Sequence, residues 1–444
     1  MGWLVWVGWY LVWVWIVLKL VYWIQVKEYR WDRWWSWIRY NTGWRDVLRL
    51  DIRKPEWTIR AGLVTGAGAA AAVFWGLGGA LAGTIVGVAG TGLLVSWQRA
   101  REMERAKARV EQIKPKVVVV NGSYGKSSTK EFLAQMLASK YKLIKTEENE
   151  NSELGVARTI LNKLKPGVQL MVLEMGAYKR GEVANMCRMA RPDVVIITGM
   201  GPQHIDLFGS MEDSRRAEFE SVEALKPGGT AVFNADSGEA APMVEWAKKK
   251  GIRTETYSVR GQVSKVSPEG FLLRDVWVPV RGAHFAQNIR GTMVVAGILG
   301  MRTIEIDGAM GQLKQPYKSL AVRETRGIEV IDNSYNTNPE GFAASLDYLK
   351  LFKRKKIVFT PGIIELGQQT KEVHRQLGKL MAGWVDEVWL SRANVAKFLA
   401  DGGVRVVRID TPEKVDSKLK ELKKGDTVLI EGRVAPPLMR ALRS

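Results

Sequence analysis

The sequence predicts an α/β protein in which apolar N-terminal helices precede a domain built on a mostly parallel sheet. Three observations carry that expectation. From Lys116 onward, short β-rich runs alternate with helical ones, the pattern of strands joined by crossover helices. The run Val117–Ser128, VVVVNGSYGKSS, reads as a buried strand that ends in a glycine-rich loop and opens a helix. Before residue 116 lie two long runs almost free of charge.

Taken in order, residues Trp3 to Ile24 are apolar except for Lys19. That is enough to cross a ~30 Å hydrocarbon core at ~1.5 Å per residue. A signal peptide fits poorly, because no basic region precedes the run and no small-residue cleavage site follows it. Trp3, Trp6, Trp9, Trp13, Trp15 and Trp23 instead suit a permanent span with aromatic contacts at the interfaces. Trp31, Trp34, Trp35 and Ile38 recur at helical spacing against Arg30, Arg33 and Arg39, as in an interfacial helix over residues 26–40. Packing of this tryptophan face on the spans is the equal alternative. The second run, Ala61 to Gln98, would be ~57 Å long as one helix, so it is expected to fold back at Gly76-Leu77-Gly78-Gly79 into spans over about 61–76 and 80–97.

Charge supports the same picture. The formal net charge is +20, with the excess concentrated in Lys27–Arg60 and Arg99–Lys116, on either side of the apolar runs. A chain this basic would suit nucleic acid, but basic flanks on apolar spans mark the cytoplasmic side of a membrane protein. The expectation is therefore a membrane domain over 1–115, multi-pass in the cytoplasmic (inner) membrane, with the remaining domains facing the cytoplasm, membrane lipids as partners and no nucleic acid. Cys187 is the only cysteine, which excludes an intrachain disulfide, a zinc ribbon and a CxxC redox pair.

The loop after the valine strand is a phosphate cradle. Gly122 and Gly125 allow a tight turn that presents N–H groups to an anion, and Ser123 and Ser128 flank it. The helix starting near Lys126 adds its positive end. Lys126 would reach the outer phosphates of a nucleotide and Ser127 would hold Mg²⁺. Val120 stands where G-x-x-x-x-G-K-[ST] has its first glycine, so the loop is of a shortened kind, and an ordinary strand-to-helix turn is the plain alternative. Further strands read from YKLIKT, VQLMVLEMG, PDVVIITG and GTAVFNAD. Ligands sit beyond the carboxyl ends of such strands. Glu174 closes one strand and His204 follows another on that edge, and with the loop they compose a metal and nucleotide site.

These residues resemble those of the Mur ligases, ATP-dependent amide ligases of peptidoglycan synthesis, and most nearly the member that adds D-alanyl-D-alanine. The carriers are GSYGKSS at Gly122–Ser128, NENSELGVART at Asn149–Thr159, LEMGAYKRGEV at Leu173–Val183 and HIDLFGS at His204–Ser210. HFAQN at His284–Asn288, IDNSYNTNP at Ile331–Pro339 and PGIIELG at Pro361–Gly367, with His374 beyond, continue the series. The resemblance implies a P-loop central domain over 116–322 and a Rossmann-like C-terminal domain over 323–444. It implies that Lys126 grips the β- and γ-phosphates while Ser127, Glu174 and His204 serve Mg²⁺. Asn288 would face the adenine, Arg323 and Asn333 the ribose or phosphates, and Asn149, Asn151, Ser152 and Thr159 the acceptor carboxylate. The cofactors implied are ATP and Mg²⁺.

The chain departs from the family's pattern in three ways. Glu218 falls where the family has a carbamylated lysine that holds a second Mg²⁺, so a glutamate is expected to supply that charge without bicarbonate; a helix-surface acid is the alternative. Asn333 replaces the usual aspartate, and Glu431-Gly432-Arg433 stands where Lys-Gly-Ser is more common. The first 115 residues replace the family's uridine-nucleotide-binding domain, which points to a lipid-linked acceptor. The expected activity is a membrane-anchored ligase that joins a small-molecule amine, an amino acid or dipeptide, to a carboxylate acceptor through an acyl phosphate, with Lys126, Glu174, His204 and Glu218 as its catalytic residues. A polyglutamate-like synthase and a non-catalytic ATP-dependent scaffold are the alternatives.

Overall fold

The computed structural model describes residues 59–147, 150–176, 180–201, 210–335, 337–363, 366 and 369–442. The chain divides into two compact units, Met1–Arg105 and Ala106–Ser444.

The described residues of the first unit lie in α1 (Ile59–Ile113), whose last residues belong to the second. A Cβ on Gly83 would stand 2.4 Å from the Ala67 carbonyl oxygen and 2.7 Å from the Ala71 methyl, and one on Gly87 would stand 3.1 Å from Val64 Cα. Along one straight helix, Ala67 and Gly83 would lie ~24 Å apart, so the stretch doubles back between Ala71 and Gly83. Glycine permits the close approach. Val64, Thr84 and Val88 are buried there.

The expected location as a multi-pass protein of the inner membrane is corrected. Among the described residues, no helix is long and apolar enough to cross a membrane. The physical reason lies in composition: the run after Ala61 is filled with glycine and alanine, which add little transfer free energy, and its continuation beyond Gln98 carries Arg99, Arg101, Glu102, Glu104 and Arg105. The span expected over 3–24 and the interfacial helix over 26–40 lie outside the described residues.

Among its described residues the second unit holds three sheets. The first contains β1 (Lys116–Asn121), β2 (Leu143–Lys145), β3 (Leu170–Glu174), β4 (Val194–Ile197), β5 (Thr230–Asn234) and β6 (Arg253–Tyr257) in the order β2-β3-β1-β4-β5-β6, all parallel. Val117–Val120 and all of β3, β4 and β5 are buried, as strands covered by helices on both faces must be. Between the strands run α2 (Lys126–Leu137), α3 (Glu153–Lys163), α4 (Glu182–Ala190), α5 (Met211–Glu223) and α6 (Ala241–Lys249). Ser152 and Ser210 cap α3 and α5 by accepting the N–H of Gly155 at 3.4 Å and of Asp213 at 3.0 Å.

An antiparallel meander follows: β7 (Val263–Ser267), β8 (Gly270–Leu273) and β9 (Val276–Val278). Then come α7 (Phe285–Ile298) and α8 (Thr303–Met310). α7 packs on α2, where Phe132 and Phe285 meet edge-to-face with ring centroids 5.6 Å apart. Gly291 lets α7 reach the sheet, since a Cβ there would lie 2.8 Å from both Ile196 and Tyr257.

The last sheet begins at β10 (Ala321–Thr325) and continues with β11 (Ile328–Asn333), β12 (Lys356–Thr360), β13 (Glu387–Leu390), β14 (Val406–Arg408) and β15 (Thr427–Glu431). Its order is β10-β11-β15-β12-β13-β14, parallel except for the β10–β11 hairpin. Its helices are α9 (Pro339–Leu349), α10 (Thr370–Met381), α11 (Ala396–Asp401), α12 (Pro412–Lys420) and α13 (Pro436–Ala441). At the start of this sheet Asn333 Oδ1 accepts the Leu320 N–H at 3.2 Å, and from α9 the Tyr348 hydroxyl donates to the Pro268 carbonyl, in the β7–β8 turn of the meander, at 2.9 Å.

Candidate active site

β1 lies between β3 and β4, so its carboxyl end opens where the chain turns to opposite flanks of the sheet. There Gly122 has φ +123° and Gly125, the N-cap of α2, has φ +80°, a conformation that side chains resist. Both are also sterically confined: a Cβ on Gly122 would stand 2.6 Å from Thr198 Oγ1, and one on Gly125 2.5 Å from Asn288 Nδ2. The loop is pinned to the end of β4 by Ser123 and Tyr124 N–H groups on the Gly199 carbonyl, at 2.8 and 3.1 Å. Thr198 Oγ1 lies 2.6 Å from the Tyr124 carbonyl oxygen. The Tyr124 ring fills the space over Gly199 and Gly201 that any side chain there would occupy.

Lys126 folds its ammonium back onto the loop, donating to the carbonyls of Gly122 and, at 3.1 Å, Ser123. These are the contacts a phosphate would take over. Ser127, one residue on, donates to Glu174 Oε1 at 3.1 Å. Asn151 donates its amide to the same oxygen at 3.1 Å, and Lys130 faces the other oxygen at 3.4 Å. Glu174 is buried at the end of β3, with its own N–H on Thr146 Oγ1 at 2.9 Å.

Glu218 comes from α5 to the opposite flank of the loop. Its Oε2 accepts the Gly122 N–H at 3.3 Å, and its carbonyl accepts Asn121 Nδ2 at 3.1 Å. Burial pushes the Glu218 carboxyl above the usual range, opposed by the Lys126 ammonium. Asn288, on the first turns of α7, donates to the Gly125 carbonyl and lies 3.0 Å from it and from Thr129 Oγ1. Ser128 follows Ser127 on α2, half-buried.

The other expected residues are dispersed. Asn149 and His204 lie outside the described residues. Ser152 is spent on capping α3, and buried Thr159 donates to Glu150 Oε2 at 2.7 Å. Arg323 sits on β10 with Nη1 3.8 Å from Asp332. Asn333 ends β11, directly across from Glu431, and donates to its Oε2 at 2.8 Å; Thr337 donates to Oε1 at 2.7 Å. Glu431 is wholly buried, which raises its pKa to about 7. His374 is internal: its Nδ1 lies 2.7 Å from the Thr370 carbonyl, and its Nε2 accepts the Ile363 N–H at 3.0 Å. His284 is buried as well, and desolvation lowers its pKa to about 4.

A glycine-rich loop at a helix N-terminus, a lysine folded over it and a hydroxyl–carboxylate pair are the parts that position a polyphosphate and its cation. Comparison with known proteins agrees with the geometry. Residues 120–296 match the Mur ligase middle domain, and residues 320–434 match the Mur ligase glutamate ligase domain. The chain belongs to the Mur ligase family.

Mur ligases form amide bonds at the expense of ATP and use Mg²⁺, and so does this member of the family. Among its relatives, a UDP-N-acetylmuramoyl-tripeptide D-alanyl-D-alanine ligase of Bacillus subtilis is 26% identical over 349 residues, covering 73% of this chain and 75% of that one. The corresponding enzyme of Synechocystis is 28% identical over 327 residues, 71% of each chain. Among solved structures, MurF from Acinetobacter baumannii superimposes with a TM-score of 0.71 at 25% identity, covering 78% of this chain and 80% of that one. MurF ligase from Thermotoga maritima in complex with ADP gives a TM-score of 0.68 at 28% identity, with 78% and 82% covered.

The Mur ligase site contains residues that sequence reasoning passed over. Lys130 carried one legible signal, a lysine on the same helical stripe as Leu133 and Leu137. Asn151 was expected beside the acceptor, and its contact with Glu174 was not foreseen. Tyr124 and Thr198 carried no signal, because their contacts are made across the sheet.

Proposed function

We propose that this Mur ligase joins the amine of D-alanyl-D-alanine to the terminal carboxylate of a muropeptide in peptidoglycan synthesis. The observation that carries the reading is the convergence of Lys126, Ser127, Asn151 and Glu174 at the end of β1, in a chain that matches both Mur ligase domains and has relatives of that activity over about seven tenths of its length.

In this reading the α2 N-terminus, opened by Gly125, receives the phosphates of ATP, with Ser123 and Ser128 alongside, and Lys126 leaves the loop carbonyls for the outer phosphates. Ser127 Oγ and Glu174 Oε1, 3.1 Å apart, are hard oxygen donors that fit Mg²⁺, joined by His204. Two side-chain oxygens would leave room in the cation's shell for phosphate oxygens and water. Bound there, Mg²⁺ supplies electrostatic stabilisation of charge on the transferring phosphoryl group. Glu218, with its carboxylate beside the loop, serves a second cation. Asn288 lines the adenine side, and Arg323 and Asn333 the ribose and phosphates. The segment from Asn149 to Thr159 borders the acceptor.

The acceptor carboxylate attacks the γ-phosphorus, the bond to ADP breaks, and an acyl phosphate forms. The amine nitrogen then attacks the acyl carbon, inorganic phosphate leaves, and the nitrogen sheds a proton to give the amide. Mass spectrometry of products from the purified full chain with ATP, Mg²⁺ and D-Ala-D-Ala tests this, with UDP-linked and lipid-linked tripeptide acceptors offered in parallel. A mass gain on either acceptor is expected, and the one that gains identifies the carrier. No gain on both, with ATP bound, would overturn the assignment of amine and acceptor.

A further inference from the structure

Lys130 is the most deeply buried lysine near the site, its side chain only 2% exposed, and the scheme above does not use it. It lies on α2 one turn beyond Lys126, in a stretch where Thr129, Leu133 and Leu137 are buried too. Its ammonium faces Glu174 Oε2 at 3.4 Å and Glu131 Oε1 at 3.6 Å. Glu131 in turn holds Lys145 through its other oxygen, so a chain of alternating charges runs from the half-exposed Lys145 inward to Glu174.

A buried ammonium is costly unless it is paired, and an apolar residue would fill this place without that cost. What a lysine adds is a fixed charge on one carboxylate oxygen. The last torsion of a glutamate is broad and two-fold. Without a partner on Oε2, Glu174 can turn, and Oε1 loses its direction toward Ser127. Here the two oxygens have separate duties: Oε1 takes the Ser127 hydroxyl and the Asn151 amide, and Oε2 faces Lys130.

We infer that Lys130 is a positioning residue of the ligase reaction, which anchors Glu174 Oε2 inside the fold so that Oε1 alone is presented to a cation beside Ser127. The inference rests on the reading of Ser127 and Glu174 as Mg²⁺ donors. It predicts a split between nucleotide binding and metal binding, because Lys126 and the loop N–H groups do not depend on Lys130.

The test is calorimetric titration of the full chain with ADP in EDTA and in excess Mg²⁺, alongside Mn²⁺ titration followed by electron paramagnetic resonance. Lys130→Met and Lys130→Gln should keep metal-free ADP affinity within about twofold, while Mn²⁺ affinity falls about tenfold or more, as when a partner that orients a metal ligand is lost. Lys130→Arg, which keeps the charge, should retain most of the Mg²⁺ effect. Should Lys130→Met fail to fold, Lys130→Gln carries the measurement. Unchanged Mn²⁺ affinity in a folded variant would overturn the inference, and so would an equal loss with and without metal, which would make Lys130 a support of the loop. If the unaltered chain shows no Mg²⁺ effect on ADP binding, the site reading itself falls, and this inference with it.

Discussion

At the scale of single residues, the site is a set of paired charges, and the proposed function requires some of those pairs to open for the nucleotide. Lys126 rests on backbone carbonyls and is free to leave them. Lys126→Ala should lower kcat/KM by ~100-fold or more, the ~2.7–4 kcal/mol typical of a lost transition-state contact. A turnover within tenfold of the unaltered enzyme would remove Lys126 from its assigned role. Glu218→Ala should abolish ligation while Glu212→Ala, on the exposed side of the same helix in ion pairs with Arg215 and Arg216, should not; added bicarbonate should change neither. Equal activity in both variants would return Glu218 to a structural role. Glu431 carries a pH dependence. Its carboxyl is raised from 4.5 to about 7 by burial, so between those values the folded chain holds a proton that the unfolded chain has released. Stability contributed there is present below about pH 4.5 and is lost as pH rises through about 7. Melting curves at pH 5 and 8 should show Glu431→Gln gaining on the unaltered protein at the higher pH; a difference that does not move with pH would exclude the effect.

At the scale of elements, each active group is placed by the end of a strand or the start of a helix. The glycine at the α2 N-cap has a left-handed backbone and the Asn288 amide pressed against it, so Gly125→Ala meets strain and a clash together. It should destabilise by more than ~1 kcal/mol and weaken nucleotide binding. Thermal melts together with ADP titration check this, and an unchanged melting temperature with unchanged affinity would show that the loop tolerates another path. The pairing of β11 with β15 explains a feature that looked like two separate departures along the chain. Asn333 and Glu431 are in register and share a hydrogen bond, so the two positions meet across neighbouring strands. The strands, the phosphate loop and α2 were readable because hydrophobic pattern and glycine placement are local. The partner of Glu431 was not, because it depends on which strands become neighbours.

At the scale of the whole molecule, the unit Ala106–Ser444 holds both ligase sheets, and Tyr348 of α9 reaches back to the Pro268 carbonyl in the meander between them. A nucleotide that binds only the folded chain stabilises it by mass action, about 2.7 kcal/mol at a hundred times its Kd. ATP with Mg²⁺ should therefore raise the melting temperature more than ATP with EDTA. Equal shifts would mean that the cation adds nothing to nucleotide binding.

The sequence by itself determined the α/β class, the phosphate loop, the order of the ligase motifs and the family. These reside in short runs whose spacing sets a backbone shape regardless of what lies elsewhere in the chain. Only the tertiary structure decided that Asn151 and Lys130 divide the two oxygens of Glu174, that Glu218 reaches Gly122, and that Asn333 answers Glu431. It also decided against membrane crossing by any described helix, where a charge-free run alone had suggested it. The absence of charge along a stretch of chain does not say how much hydrophobic free energy its glycines and alanines supply. Contacts between residues far apart in sequence are set by packing, and no local pattern records them.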